Sequence, residues 1–319
     1  MKPYYWESDH GNFGDDLNLW LWDFLLPGFR DVHSDVLLVG VGTVLNKELL
    51  PDSGRKLVLG SGFGYGTLPD MSNLEVWDIR SVRGPLTAQK VGVDESLGII
   101  DPAVMVAEMP EFQHLSKIHK KSYVPHWESA IAGVWSEVCA TVGINYIDPR
   151  GEAKEVISAI ARSELIIAES MHGAILADAF RVPWVAVSTS RNINSFKWND
   201  WAGTLGVTYK PRHVPVSSRA EAIMKGSRFW GVEFEAPQAA VVEPAAGPQT
   251  SDGEVLVRQA DTTRKSGLRL AAKQVLAVRS ALALWQASRA EPQLSTDRAL
   301  SERKERFLSV LDGVRRDYF

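Results

Sequence analysis

The chain has 319 residues, of which 45% are hydrophobic, and this is enough to bury a large core in two domains. Its formal net charge of -4 gives no electrostatic reason to expect a nucleic-acid partner. The single cysteine, Cys139, excludes an internal disulfide framework and a CxxC metal site, and the chain starts without an apolar signal segment. We therefore expect a cytoplasmic globular protein.

Short apolar runs alternate with helical patterns along the first two thirds of the chain. In the first series, strands are predicted at 35–42, 56–64, 74–81 and 97–104. In the second series, strands are predicted at 121–127, 143–148, 164–170 and 182–188, with helices between them at 128–140, 151–163 and 173–181. This alternation is typical of an α/β fold with parallel sheets, whose ligand crevice lies outside the carboxyl ends of the strands.

The pattern predicts four regions. They are an N-terminal Rossmann-like domain at 1–110, a C-terminal one at 111–234, a linker or long loop at 235–263, and C-terminal helices at 264–319. The helical segment at 267–285 lies among basic residues, namely Arg264, Lys265, Arg269, Lys273 and Arg279. It would either pack on one of the domains or rest on a membrane surface, and we favour packing because charged helix faces are usually just solvated.

The segment "NFGDDLN", from Asn12 to Asn18, brings a carboxylate pair to a loop before a strongly apolar segment. Asp15 and Asp16 could simply cap and charge the first turn of a helix. They could also bind sugar hydroxyls or accept a proton from one of them. Taken alone, this segment favours capping.

Two glycine loops follow predicted strands, "GVGTVL" at 40–45 and "GSGFGYG" at 60–66. Gly42 and Gly62 are positions where a backbone can approach a ligand closely. Neither loop fits the GxGxxG fingerprint with an acidic residue about 20 positions later, so a nicotinamide-dependent enzyme is disfavoured.

Polar residues stand at several strand ends. Arg83 can grip a phosphate or carboxylate in bidentate fashion, Asp101 follows the strand at 97–104, and His126 holds the matching place in the second series. For a single such residue, a structural role is the more common one. Because all of them lie at the ends of predicted strands, a functional role is better supported for the set than for any one of these residues.

The stretch "ESMHGAILADAF" places His172 beside Gly173, where an apolar strand gives way to a helix. A helix start offers free N–H groups and a positive dipole end, so it predicts an anion site with a titratable neighbour. Taken alone, a histidine here is more often a hydrogen-bonded structural residue than a catalytic one.

The ordered series "NFGDDL", "GVGT", "GSGFGYG", "VRGPLTA", "DPA", "VPHW" and "ESMHGAILADAF" resembles that of the polysaccharide pyruvyltransferases. The likeness is strongest to members of bacterial exopolysaccharide synthesis, such as the succinoglycan-type pyruvylating enzymes, and covers roughly residues 3–210. Such enzymes are similar in architecture to GT-B glycosyltransferases. The resemblance therefore implies two Rossmann-like parallel-sheet domains facing a central cleft.

The resemblance also implies a reaction, in which phosphoenolpyruvate donates its carboxyethylidene group to two hydroxyls of one sugar and phosphate is released. His172 would protonate carbon 3 of the enol, while Arg83 and Lys197 would bind and neutralise the phosphate. Donor-binding residues would be Ser170, Gly173, Arg191 and His126, with Asp101 in support. Acceptor-binding residues would be Asn12, Gly14, Asp15, Asp16, Gly42 and Gly62, with Asp15 or Asp16 as the base.

No cofactor or metal is expected, because phosphoenolpyruvate is a substrate and the seven histidines have no metal-ligand spacing. The expected partners are phosphoenolpyruvate and a sugar acceptor, with a lipid-linked oligosaccharide and association with the inner face of the membrane as further expectations. Two alternatives stay open: a GT-B glycosyltransferase that uses a nucleotide sugar, and a non-catalytic saccharide-binding scaffold of a polysaccharide assembly.

Overall fold

The computed structural model describes residues 1–190, 193–236 and 277–319. Its N-terminal part contains a sheet of four parallel strands in the order β1-β2-β3-β4. They span Lys2–Tyr4 (β1), Val36–Val39 (β2), Arg55–Ser61 (β3) and Trp77–Val82 (β4). β3 is buried at every residue after Arg55, as expected of a central strand covered on both faces.

A second sheet has five parallel strands in the order β6-β5-β7-β8-β9. They span Ser122–Val124 (β5), Asn145–Tyr146 (β6), Ile166–Ala168 (β7), Trp184–Ser188 (β8) and Arg212–His213 (β9). An antiparallel hairpin of Arg228–Phe229 (β10) and Val232–Glu233 (β11) follows. The two parallel sheets confirm the predicted α/β class and agree with a GT-B-like arrangement.

Helices connect the strands. The α-helices span Leu21–Leu25 (α1), Pro85–Val91 (α2), Trp127–Ala132 (α3), Trp135–Val142 (α4), Ala153–Ala161 (α5), Met171–Ala179 (α6), Ser195–Thr204 (α7), Arg219–Met224 (α8), Val278–Ala287 (α9) and Asp297–Tyr318 (α10). The 3-10 helices span Asp15–Leu19, Phe29–Asp31, Glu95–Leu97, Pro102–Glu108 and Pro110–Phe112.

One predicted strand is wrong. Within 97–104 the structure has a single parallel bridge, between Val82 and Gly98, and then a 3-10 helix. Pro102 has no N–H to donate to a sheet, and the Asp101 side chain caps the helix by accepting the N–H of Ala103. The fourth strand of the sheet is instead the short strand β1, which the apolar pattern did not indicate and which pairs with β2 at the opposite edge.

The two C-terminal helices pack on different parts of the molecule. α9 lies on α4, where Ala281 and Leu284 join a core cluster with Trp135. α10 returns to the N-terminal sheet, where Asp317 pairs with Arg80 at 2.7 Å. No helix in the described ranges combines the length and apolar character needed to cross a membrane.

Part of the predicted C-terminal organisation lies outside the described residues. This holds for the linker from residue 237 onward and for Arg264, Lys265, Arg269 and Lys273. Arg279 is described, and its guanidinium lies 4.7 Å from the ring centre of Trp230. The domain boundaries therefore stay predictions.

The two sheets share one hydrophobic core. A single cluster contains Leu57 and Leu59 of β3 together with Ala168 of β7 and Ile175 of α6. The packing brings the carboxyl ends of both sheets toward each other, and residues of both domains line one cavity there.

Candidate active site

The cavity between the two sheets has a volume of about 530 Å³. Its lining mixes aromatic, carboxylate and basic side chains. The N-terminal sheet and its loops contribute Trp6, Asn12, Asp15, Gly42, Thr43 and Tyr65, and the second sheet contributes His126, Trp127, Glu128, Ser170, His172 and Lys197. A cavity of this size accommodates small-molecule substrates.

The "NFGDD" loop crosses from the first domain onto the second. Phe13 donates its N–H to the carbonyl of Pro149, and its ring meets the His172 ring edge-on at 6.4 Å. The Asp16 carboxylate accepts the N–H of Asn12 at 3.4 Å and does not line the cavity. Asp16 lies in the first turn of the 3-10 helix Asp15–Leu19, whose N-cap Gly14 provides no side-chain cap, so Asp16 adds charge to this turn without capping it.

Asp15 is a buried carboxylate of the cavity lining, with 8% of its surface exposed. Its Oδ2 accepts a hydrogen bond from the side chain of Asn12. Burial raises the pKa of Asp15 to about 7, the positive charge of Lys197 opposes this, and Asp16 adds to it. A carboxyl group with this pKa can exchange a proton near neutral pH.

His172 lies in the first turn of α6, whose N-cap is Ser170. The Ser170 hydroxyl accepts the N–H of Gly173 at 3.3 Å, so that donor is already used. A Cβ at Gly173 would lie 3.2 Å from the Val124 side chain. Gly173 therefore serves the packing of α6 on β5, and it does not line the cavity.

His172 and Asp101 face each other across the two domains without touching. Nε2 of His172 lies 3.8 Å from Oδ2 of Asp101, and both atoms are buried without a hydrogen-bond partner among the described residues. Burial lowers the pKa of His172 to about 3, and the charges of Lys197 and Arg83 add to the effect. The unliganded imidazole is therefore neutral.

Burial shifts the pKa of Asp101 in the opposite direction. Burial raises it to about 6, while the N–H of Ala103 and the charge of Arg83 oppose the rise. A buried pair of unpartnered polar atoms is unusual in a folded protein and calls for an explanation. Protonation of His172 would turn this pair into a charged hydrogen bond after a small movement.

Arg83 lies behind the cavity wall, fully buried. Its Nε donates to Asp200 at 3.0 Å, Nη1 to the Thr43 hydroxyl at 3.0 Å, and Nη2 to the Phe63 carbonyl at 2.7 Å. A Cβ at Gly62 would lie 2.2 Å from the guanidinium carbon. Gly62 thus makes room for Arg83, and in this conformation neither residue lines the cavity.

Asp200 completes a closed interdomain contact with Arg83. It lies in α7 and also accepts the N–H of Thr87 at 2.9 Å and the Thr87 hydroxyl at 2.5 Å. The contact ties α7 of the second domain to α2 of the first. Both charged side chains are fully buried and mutually bonded, so the arrangement meets the requirement for a stable buried ion pair.

Lys197 lies one helical turn before Asp200, in the first turn of α7, and lines the cavity. Its Nζ lies 4.3 Å from the ring centre of Tyr65, at cation–π distance. A Cβ at Gly64 would lie 2.6 Å from the Lys197 stem, so this loop also leaves room for a side chain of the other domain.

Two further glycines of the predicted acceptor site also leave room for a neighbouring side chain. A Cβ at Gly14 would lie 1.9 Å from Nδ1 of His172, and a Cβ at Gly42 would lie 2.6 Å from Oδ1 of Asp15. Gly42 also has φ +112°, which disfavours any side chain. Gly42 lines the cavity and Gly14 does not.

A buried polar network around Glu169 supports the second half of the cavity. Its carboxylate pairs with Lys225 at 2.7 Å and accepts the Ser129 hydroxyl at 2.6 Å and the His126 N–H at 3.0 Å. Burial alone would raise the pKa of Glu169, but the charges of Lys225 and His126 and the hydrogen bonds from Lys225 and Ser129 together outweigh it and lower the pKa to about 2. This network fixes the loop that carries His126 into the lining.

The structure thus divides the predicted site residues into two sets. Those that line the cavity are Asn12, Asp15, Gly42, His126, Ser170, His172 and Lys197. Those that do not line it are Gly14, Asp16, Gly62, Arg83, Asp101 and Gly173, while Arg191 lies outside the described residues. The roles assigned to all of them stay predictions.

Sequence reasoning missed Trp6, Trp127, Glu169 and Asp200. Glu169 directly follows strand β7 and precedes Ser170, so its place after a strand end was a usable signal. Asp200 gave no local signal, because its partner Arg83 is 117 residues away. In the described ranges, no group of three or more acidic, histidine or cysteine side chains is arranged to hold a metal ion.

Comparisons with known proteins identify the family of the chain. A family model described as polysaccharide pyruvyl transferase matches residues 3–191. The chain is also 70% identical over 319 residues, 100% of both proteins, to "Succinoglycan biosynthesis protein ExoV" of Rhizobium meliloti (strain 1021). No solved structure matches the chain significantly.

Proposed function

Since the chain belongs to the polysaccharide pyruvyl transferase family, we propose that it transfers the carboxyethylidene group of phosphoenolpyruvate to two hydroxyls of one sugar. The observation that carries this proposal is the convergence of His172, Lys197 and Asp15 on one cavity between the domains. An acid, a cation and a carboxylate are the groups that the reaction requires. Family membership favours this reaction over nucleotide-sugar transfer and over a non-catalytic scaffold.

The proposed reaction has three steps. Carbon 3 of phosphoenolpyruvate takes up a proton and becomes a methyl group, which leaves carbon 2 electrophilic. The first sugar hydroxyl then adds to carbon 2 and loses its proton to a base. The second hydroxyl loses its proton and forms the other C–O bond as the bond from carbon 2 to the phosphate oxygen breaks. The electron pair of that bond leaves with inorganic phosphate, which can take up the released proton.

His172 is the proposed acid for carbon 3. Its imidazole is neutral in the unliganded protein because burial lowers its pKa to about 3. The negative charges of phosphoenolpyruvate would raise that pKa, and Asp101 at 3.8 Å would stabilise the resulting imidazolium. With Nε2 directed at Asp101, Nδ1 is the nitrogen left to deliver the proton.

Lys197 is the proposed cation for the departing phosphate, since it lines the cavity on the first turn of α7. Arg83 would act as a fixed positive charge behind the wall, because its donors already hold Asp200, Thr43 and Phe63. Asp15 is the proposed base for a hydroxyl, and its raised pKa of about 7 suits that role.

We propose a sugar of a succinoglycan-type glycan precursor as the acceptor. The support is the 70% identity over the whole chain to a protein that is named for succinoglycan biosynthesis. A lipid-linked acceptor at the inner face of the membrane remains part of this proposal. A comparison of free oligosaccharide with the membrane lipid fraction as acceptors would separate the two forms.

The test uses purified protein, phosphoenolpyruvate and oligosaccharides prepared from succinoglycan, with any ketal removed in mild acid. We expect acceptor-dependent release of phosphate and a product heavier than the acceptor by one pyruvate less one water. The product ketal should lose pyruvate again in mild acid. Turnover of a nucleoside diphosphate sugar without consumption of phosphoenolpyruvate would contradict the proposal.

A further inference from the structure

An aromatic wall, defined here as Trp6 and Trp127, lines the cavity from both domains. Trp6 follows β1 and Trp127 begins α3, and their ring centres lie 5.9 Å apart at an angle of 47°. Both side chains are only half-buried. Two large rings from different domains therefore present apolar surface to the same cavity.

The wall is unlike the buried tryptophan cluster that supports α7. Trp184, Trp198 and Trp201 contact one another in the core and are 2% exposed or less. Trp6 and Trp127 differ from this cluster in being half-buried at the cavity, and their indole N–H groups donate to no acceptor in the part of the chain that the structure describes. The wall thus offers both a stacking surface and two donors to a ligand.

The charges beside the wall disfavour an anion. Glu128 lines the same region, and although burial acts in the opposite direction, its contact with His126 lowers its pKa, so it is ionised at neutral pH. An ionised carboxylate repels phosphoenolpyruvate but accepts hydrogen bonds from hydroxyls. The basic group Lys197 lies instead beside Tyr65, which places the anion-binding part of the cavity there.

We propose that the aromatic wall is the seat of the acceptor sugar, with the apolar C–H face of a pyranose ring on the indoles and its hydroxyls directed to Glu128 and Asn12. A pyranose has one apolar face and a polar rim, which is the chemistry that this part of the lining offers. This inference rests on the proposed function for the identity of the ligand. It adds two residues, Trp6 and Trp127, that sequence reasoning did not assign.

The test is calorimetric binding of ketal-free succinoglycan oligosaccharides to the full-length protein, which requires no turnover. Trp127→Ala and Trp6→Ala should each weaken binding at least tenfold, since loss of a stacked aromatic ring removes the apolar contact. Trp127→Phe and Trp6→Phe should fall between these variants and the wild type. Trp285→Ala, on an exposed ring of α9 outside the cavity, is the matched control and should bind like the wild type.

Binding of phosphoenolpyruvate separates this inference from the proposed function. All the tryptophan variants should keep its dissociation constant within about twofold of the wild-type value, since Lys197 and His172 are unchanged. Oligosaccharide binding as strong in Trp127→Ala and Trp6→Ala as in Trp285→Ala would overturn the aromatic seat. A wild-type protein that binds the oligosaccharides but not phosphoenolpyruvate would overturn the proposed donor and leave the seat supported.

Discussion

Two buried pairs of ionisable side chains lie between the domains, and only one of them is hydrogen-bonded. Arg83 and Asp200 are bonded at 3.0 Å, and both have further partners. His172 and Asp101 face each other at 3.8 Å, and the facing atoms are unpartnered in the described structure. The first contact is complete without substrate, whereas the second needs a proton to form.

The Arg83–Asp200 contact has a structural role, whereas the His172–Asp101 pair is the one whose protonation can change. The closed contact, Arg83–Asp200, holds α7, and therefore Lys197, against the first domain without substrate. The open contact is the pair His172–Asp101. In the open contact, a neutral imidazole lies beside a carboxyl group whose pKa burial raises to about 6, so a substrate anion can change the protonation of the pair. Replacements of the two contacts should accordingly have different, and in one case opposite, effects.

The largest expected effect is on turnover. His172→Gln should lower the rate of phosphate release by about 10³-fold or more, because it removes the proposed acid for carbon 3. Thermal unfolding should show an intact fold, since a neutral side chain replaces a neutral imidazole. His213→Gln, at an exposed position in β9, is the control and should keep full activity. Near-native turnover in His172→Gln would show that the open contact is not catalytic.

The second effect is on stability. Asp200→Asn should lower the free energy of unfolding by about 3–5 kcal/mol, because it leaves the buried Arg83 charge without its partner. Asp317→Asn, which breaks an ion pair with the partly exposed Arg80, should cost only about 0.5 kcal/mol. Denaturant unfolding of both variants measures the difference. Equal losses of unfolding free energy in the two variants would mean that the Arg83–Asp200 contact stabilises the fold no more than a surface ion pair does.

At the open contact, a substitution is expected to raise the free energy of unfolding, and by a smaller amount. The pKa of Asp101 is about 6 in the folded protein and near 4 when unfolded, so the folded state binds the proton more tightly. Stability from this group is therefore full below pH 4 and is lost as the pH rises to about 6. Asp101→Asn should be more stable than the wild type by about 2 kcal/mol at pH 8, and equal to it near pH 4. A loss of stability at pH 8 would contradict this assignment.

The fold was largely predictable because buried parallel strands have a strong sequence pattern. Apolar runs such as 35–42 and 182–188 correspond to β2 and β8. The prediction failed at 97–104, where Pro102 and the Asp101 cap outweigh the apolar character of the run. It also missed β1, whose three residues are too short for a periodic signal.

The site was predictable where residues follow strand ends, as His126, Ser170 and His172 do. The resemblance to a family added Lys197, which lines the cavity as expected. Partners distant in sequence could not be predicted, because nothing local indicates that Arg83 meets Asp200. For the same reason, the sequence could not show that Gly14 and Gly62 accommodate side chains rather than a ligand.

We expect binding of phosphoenolpyruvate to raise the pKa of His172 until the imidazole is protonated, with Asp101 stabilising the imidazolium. Calorimetric titration at pH 7.5, in buffers of different ionisation enthalpy, measures the protons taken up on binding. The wild type should take up about one proton more than His172→Gln, since the substrate anion raises the pKa of the imidazole. Asp101→Asn should reduce this difference, because it removes the carboxylate that stabilises the imidazolium. Equal proton uptake by the wild type and His172→Gln would contradict the claim.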